Sequence, residues 1–288
     1  MLMKNESNHF KPNLSIDING FLMDFSTTKI MGIVNLTPDS FFDGGKLNSI
    51  KDILYQCELM LSEGADILDL GAFSSRPGAE MVSEEEELKR LNPALKAIKK
   101  EFPKAILSID TYRSEVAKQS VDIGAHIIND ISGGSMDPKM FEFIGKNKVP
   151  YVLMHMQNQP KNMQVKPNYK NVVAEVYSYF HDKITLLKLF GALDIILDPG
   201  FGFGKNLSHN YQLLKHISYF KTLDCPILVG ISRKRMIQEV IHEKSEQALN
   251  GTTAANTVAT LLGAQILRVH DVKEAKEAAS IVDFMQKQ

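Results

Sequence analysis

KAILSIDTYRSEVAKQSVDIGAHIINDI, Lys104 to Ile131, decides how the rest of the chain is read. Its two ends, KAILSIDT and GAHIINDI, are short apolar runs rich in β-branched residues, as expected of strands buried on both faces. Between them Ser114–Ile123 carries a helical period. Strand, helix and strand in so short a span make a βαβ unit of a parallel sheet.

The rhythm extends in both directions. KIMGIV, ADILDLGA, PYVLMHM, DIILDPG, CPILVGIS and AQILRVHD join the first two runs to make eight. Helices are expected at Ser49–Glu63, Ser83–Glu101, Ser114–Ile123, Pro138–Asn147, Asn171–Phe190, Ser208–Phe220, Arg235–His242 with Leu249–Leu262, and Val272–Gln286. Ser83 and Glu86 have capping-box spacing at one helix start. Eight strands, each followed by a helix, is the count of a (β/α)8 TIM barrel, whereas an open doubly wound sheet usually uses about five or six. No linker or composition shift divides residues 1–288, so a single domain is expected, with residues 1–12 loose. LSIDINGFLMDF, within 13–28, alternates around Asn19-Gly20 and predicts a β-hairpin lid over the barrel's amino-terminal end.

Composition narrows the class. With 44% apolar and 23% charged residues, a packed core is expected rather than disorder. The 33 basic and 34 acidic residues nearly cancel, which gives no field for nucleic acid or an anionic membrane. Cys57 and Cys225 are isolated, fitting a reducing compartment. Neither a signal-peptide core nor a run of transmembrane length occurs, so the expected location is cytoplasmic.

In a barrel the chemistry belongs at the carboxyl ends of the strands. Those ends carry Asn35, Asp69, Asp110, Asn129 with Asp130, His155, Asp198, Ser232-Arg233-Lys234, and Arg268 with His270. Each has a bland reading: Asp110 as a helix cap, Asp198-Pro-Gly as a turn, Lys234 as a solvated first-turn residue, His155 as a satisfied interior histidine. Convergence on one rim favours the functional reading. Asp110, Asn129 and Asp198 suit a flat heterocycle bearing N–H donors and a carbonyl. Arg268 and His270 alternate on one strand and suit an anion such as phosphate. Asn35 and Asp43 offer oxygen to a hard cation such as Mg²⁺. After Asn35 the stretch MGIVNLTPDSFFDGG, Met31 to Gly45, becomes both aromatic and acidic, as a loop that closes over a bound group would.

Several signatures fail. GFGFGK has Pro199 where a Walker A needs glycine and Asn206 where it needs Ser or Thr, and Lys205 stands at the last glycine of a dinucleotide loop. HExxH, zinc-spaced Cys/His and GxSxG are absent from the sequence.

From about Lys29 onward the chain resembles the dihydropteroate synthases. MGIVNLTPDSFFDGG is similar to that family's first mobile loop and SSRPGAE, from Ser74, to its second; SIDT, IINDISGG, LDPGFGFGK, GISRK and RVHD follow in the family's order. The resemblance implies a TIM barrel that joins 6-hydroxymethyl-7,8-dihydropterin pyrophosphate to p-aminobenzoate, releasing pyrophosphate. It implies that Asp110, Asn129, Asp198 and Lys234 hold the pterin, with Met154 packed near it and Gly230 lining the substrate site. Asn35, Arg268 and His270 are implied for pyrophosphate and Mg²⁺, helped by Asp43, and Ser75, Arg76, Pro77 and Phe203 for p-aminobenzoate. Asn35, Asp110, Lys234, Arg268 and His270 form the implied catalytic set. A homodimer and sensitivity to sulfonamides are family traits. Two departures stand out: Ala72-Phe73-Ser74-Ser75 replaces the usual Gly-Glu-Ser-Thr, and Arg235 replaces a serine expected to face the p-aminobenzoate carboxylate. Arg235 is expected either to contact that carboxylate or to turn to solvent. A related pterin-binding methyltransferase would lack both substrate loops, and an idle paralogue would have lost loop residues or the Arg268/His270 pair.

Overall fold

The structure, a computed structural model, describes residues 14–36, 50–73, 82–157 and 167–288. A hairpin comes first: β1 (Ser15–Ile18) pairs antiparallel with β2 (Phe21–Asp24). Asn19 and Gly20 both take positive φ, 50° and 88°, the backbone that a tight two-residue turn requires. Alternation sends Ile16, Ile18 and Met23 inward. They pack with Ile67, Ile127, Val152, Ile196, Leu228 and Ile266, each the first or second residue of a barrel strand. The hairpin therefore closes the amino-terminal end, as its sequence predicts.

The barrel strands are β3 (Lys29–Asn35), β4 (Ile67–Gly71), β5 (Ile106–Asp110), β6 (Ile127–Asp130), β7 (Tyr151–Met154), β8 (Ile195–Asp198), β9 (Leu228–Val229) and β10 (Ile266–Val269). All pair in parallel, in the order β8-β7-β6-β5-β4-β3-β10-β9. The ring is closed by a bridge between Leu197 and Ile227, where Leu197 N–H donates to Pro226 O at 2.8 Å. Outside it run α1 (Ile50–Ser62), α2 (Glu84–Glu101), α3 (Ser114–Ile123), α4 (Met140–Asn147), α5 (Val172–Leu189), α6 (Leu207–Lys215), α7 (Arg235–Ile241), α8 (Leu249–Leu261) and α9 (Val272–Gln286). Their apolar stripes pack on the outward faces of the strands in one continuous core.

Two local expectations need correction. The helix expected over Ser208–Phe220 is two elements, α6 and a 3-10 helix at Ile217–Leu223, joined at His216. At the start of α2, Ser83 Oγ accepts from Glu86 N–H as expected, but the Glu86 carboxylate takes Arg90 Nε (2.7 Å), so only half of a capping box forms. The reciprocal box occurs instead at α6, between Asn206 and His209. The expected loose segment 1–12 lies outside the described residues.

Candidate active site

Register builds the rim. Asn35 pairs with Gly71, Gly71 with Asp110, and Asp110 with Asn129, while Met154 pairs with Asp198 across β7 and β8. Side chains two residues apart on a strand share a face. Asp69 and Ser108, themselves paired, thus lie one layer beneath Gly71 and Asp110.

At the centre Arg268 crosses the barrel. Its Nε donates to Asp69 Oδ2 at 2.6 Å and its Nη2 to Asp110 Oδ2 at 2.9 Å. Asn129 Nδ2 donates to the same Asp69 oxygen at 3.0 Å. Among the described residues Asp69 Oδ1, Asp110 Oδ1 and Ser108 Oγ are buried with no hydrogen-bond partner. Unsatisfied buried acceptors are costly, and a ligand carrying N–H groups is what would satisfy them. Burial pushes the Asp110 carboxyl up to about 7, against the pull of the Arg268 guanidinium. Asp110 does not cap α3: the N-cap position before Ser114 is Arg113, which makes no side-chain cap bond, and Asp137 Oδ2 accepts from Ser114 N–H (2.7 Å).

On the other side lies the turn after β8. Asp198, 6% exposed, accepts from Gly200 N–H through Oδ1 at 2.8 Å, so it shapes the turn while standing at the rim. A Cβ on Gly200 would lie 1.9 Å from His155 O, so only glycine lets this backbone rest against the end of β7. Lys234, half-buried before α7, donates from Nζ to Phe201 O at 2.6 Å and stands 4.7 Å from the centre of the Phe203 ring. Burial raises the Asp198 pKa while Lys234 opposes it. Burial in turn lowers Lys234 to about 8, with Asp198 opposing. The two groups temper each other's desolvation.

Lys234 is aimed by Arg233, a non-glycine residue at φ 54°. That conformation is unusual, and it is held by the bidentate pair of Arg233 with Asp271 (2.8 and 2.6 Å) and by Thr252 Oγ1 accepting from Arg233 N–H at 3.0 Å. His270 Nδ1 lies 3.0 Å from Ser232 Oγ. Gly230 sits beside Arg268, whose Cβ would be 3.8 Å from a side chain placed there.

The structure thus brings Asp110, Asn129, Asp198, Lys234, Arg268, Phe203, Met154 and Gly230 to one end of the barrel, with Asn35 and His270 ending β3 and following β10. Asp43, Ser75, Arg76 and Pro77 lie outside the described residues. Arg235, with its side chain 88% exposed, pairs with Glu239 one helical turn on, the direction of the solvent-facing alternative. His155 is an interior histidine, with Nδ1 at 3.0 Å from Lys205 Nζ. Asp69 is the residue that the sequence reading placed at a strand end without giving it a role. Its two-residue offset from Gly71 was the available signal.

A (β/α)8 barrel with buried amide, carboxylate and cationic groups gathered at its carboxyl end has the build of a pterin-binding enzyme. The chain matches the family model described as "Pterin binding enzyme" over residues 31–270 and belongs to that family. Within it, the chain is 46% identical over 266 residues to the dihydropteroate synthase of Escherichia coli K12, covering 92% of this chain and 94% of that one. The structure of Yersinia pestis dihydropteroate synthase in a sulfonamide drug complex superposes with a TM-score of 0.91 at 42% identity, over 96% of this chain and 100% of that chain. The Xanthomonas albilineans enzyme in complex with 7,8-dihydropteroate superposes with a TM-score of 0.85 at 36% identity, over 96% and 100%.

Proposed function

We infer that this chain is a dihydropteroate synthase, a transferase of folate synthesis. It joins 6-hydroxymethyl-7,8-dihydropterin pyrophosphate to p-aminobenzoate, giving 7,8-dihydropteroate and pyrophosphate. The observation that carries the reading to this site is the network around Arg268, in which Asp69, Asp110 and Asn129 converge and Asp110 keeps an unpartnered oxygen.

Asp110, Asn129 and Asp198 supply acceptors and an amide to the pterin edge, and Lys234 faces its carbonyl side, with Met154 packing near the ring. Asn35, Arg268 and His270 hold the pyrophosphate, with Asp43 from the first loop. Ser75, Arg76, Pro77 and Phe203 take p-aminobenzoate. For Mg²⁺ the described residues offer one neutral oxygen, from Asn35, since Asp69 and Asp110 are committed to Arg268; the cation would fill the rest of its shell with water and phosphate oxygens. When bound, Mg²⁺ neutralises charge on the leaving pyrophosphate.

The reaction exchanges one bond for another at the pterin methylene. The C–O bond to pyrophosphate breaks, and its electron pair leaves on oxygen, where Arg268 and His270 meet the growing charge. The cationic methylene is stabilised by nearby carboxylates. The arylamine nitrogen then forms the C–N bond and gives up a proton to the released pyrophosphate or to water, needing position more than activation. Exclusion of water by the loops protects the cation from hydrolysis.

The protein is read as one cytoplasmic pterin-binding domain that assembles as a homodimer. Support for the dimer comes from α8 and α9, which pack together and expose Val258, Leu261, Ile281, Phe284 and Met285. No helix among the described residues is long and apolar enough to cross a membrane. The test is pyrophosphate release from the pterin pyrophosphate, with and without p-aminobenzoate, alongside detection of dihydropteroate. Release dependent on p-aminobenzoate, with product formed, supports the reading; neither occurring rejects it.

A further inference from the structure

Lys205 ends the GFGFGK motif that fails as a phosphate loop, and the transfer reaction as read above makes no use of it. It is 3% exposed, a rare state for lysine unless paired. Among the described residues no carboxylate lies within ion-pair distance of it. Its ammonium is instead surrounded by Gly200 O, Phe203 O and His155 Nδ1, each at 3.0 Å, and by His155 O at 3.2 Å. Burial lowers Lys205 to about 7, with Asp198 opposing, and in the charged form its three N–H groups face four acceptors. Burial holds His155 well below its usual pKa, so its ring is neutral and Nδ1 can accept.

These contacts have a direction. Two carbonyls of the turn after β8 point inward at the ammonium, and the third belongs to the residue following β7. Phe201 O, between them in sequence, points the other way and accepts from Lys234 at 2.6 Å. Phe203, whose carbonyl is held by Lys205, places its ring 4.7 Å from the same Lys234 ammonium. Asp198 grips the turn at Gly200 N–H. Lys205 thus fixes, from behind, a backbone whose front contacts two groups of the site.

We propose that Lys205 is a positioning residue for the transfer reaction, holding the turn from Pro199 to Gly204 in the shape that presents Phe201 O and the Phe203 ring to Lys234. The proposal rests on the transferase reading for its kinetic consequence, but not for its structural one. A lysine kept only for stability would, when replaced, lower the melting temperature and leave substrate constants alone.

The experiment is Lys205→Met in the full chain, with Lys205→Gln as the milder variant should the first fail to fold. A crystal structure of the variant is expected to show Phe201 O withdrawn from Lys234 and the Phe203 ring displaced. The KM for p-aminobenzoate should rise roughly tenfold: Gly200 O keeps Phe203 N–H at 3.1 Å, but Phe203 O and His155 O lose the ammonium, and the turn shifts. Combined with Phe203→Ala, the rise should be far less than the product of the two separate effects. A turn that stays in place, or multiplicative effects in the double variant, overturns the proposal. Wild-type protein that makes no dihydropteroate would instead sink the transferase reading, while the crystallographic result still decides the role of Lys205.

Discussion

Replacing Asp198 by asparagine keeps the shape of the side chain and changes only what it can accept. In the wild-type protein Oδ1 is occupied by Gly200 N–H at 2.8 Å. An asparagine can preserve that bond with its amide oxygen, which turns its NH₂ group to where the second carboxylate oxygen stood. The pterin would then meet a donor in place of a charged acceptor. A hydrogen bond to a charged group contributes about 1.5–3 kcal/mol, so the pterin should bind about ten- to one-hundredfold more weakly. Calorimetric titration with the pterin measures this directly. Stability supplies the control, and its sign can be worked out. The Asp198 pKa is raised by burial, so its contribution is full below the unfolded carboxylate value and is lost as pH rises through the folded one. The amide that replaces it does not titrate. The melting temperature of Asp198→Asn relative to wild type should therefore climb from acid toward neutral pH. Weaker pterin binding in a variant at least as stable near neutrality fits an acceptor role. Unchanged affinity in such a protein would refute it.

Three further outcomes are expected. Asn35→Ala and His270→Ala should each lower turnover about tenfold or more while free pterin still binds; loss of pterin affinity instead would move both residues out of the pyrophosphate site. Arg235→Ser should change the KM for p-aminobenzoate by less than about twofold if the side chain keeps to Glu239, because an exposed i,i+4 pair contributes only a few tenths of a kcal/mol and only to the helix; a large change, absent with an aniline lacking the carboxylate, would place Arg235 on that carboxylate instead. Met23→Ala at the buried face of the hairpin should cost about 2–5 kcal/mol in urea unfolding, with substrate constants unchanged at the opposite end of the barrel.

The fold was legible because each strand is a compact apolar run and each helix carries its own period. α3 begins and ends at the residues its pattern predicts, Ser114 and Ile123. The break in Ser208–Phe220 was not legible: Leu213, Leu214, Ile217 and Phe220 are all buried, so the apolar pattern runs through His216 without a mark. At the site, sequence placed polar residues on a rim but could not assign their partners. Asp69 meets Arg268 across 199 positions and Asn129 across 60, distances that only the closed barrel spans. Lys205 was hidden differently, since three of its four contacts are to backbone carbonyls, which no residue code records. Arg235 sits at the expected helix start, yet its direction follows from Glu239 one turn on.

The bridge that closes the barrel has a dynamic consequence. β9 has two residues, and beyond its pairing with β10 the junction with β8 rests on Leu197 and Ile227, where Pro226 has no N–H to give. Such a sparsely bonded junction is where local opening needs the least free energy, so amide exchange at Leu197 should outpace that at Leu107 in the heart of β5. Asp198 lies on one lip of this junction, and the segment leading from Gly230 to Lys234 continues the other. A ligand held by both lips would act as a staple, slowing exchange at Leu197 as its occupancy rises.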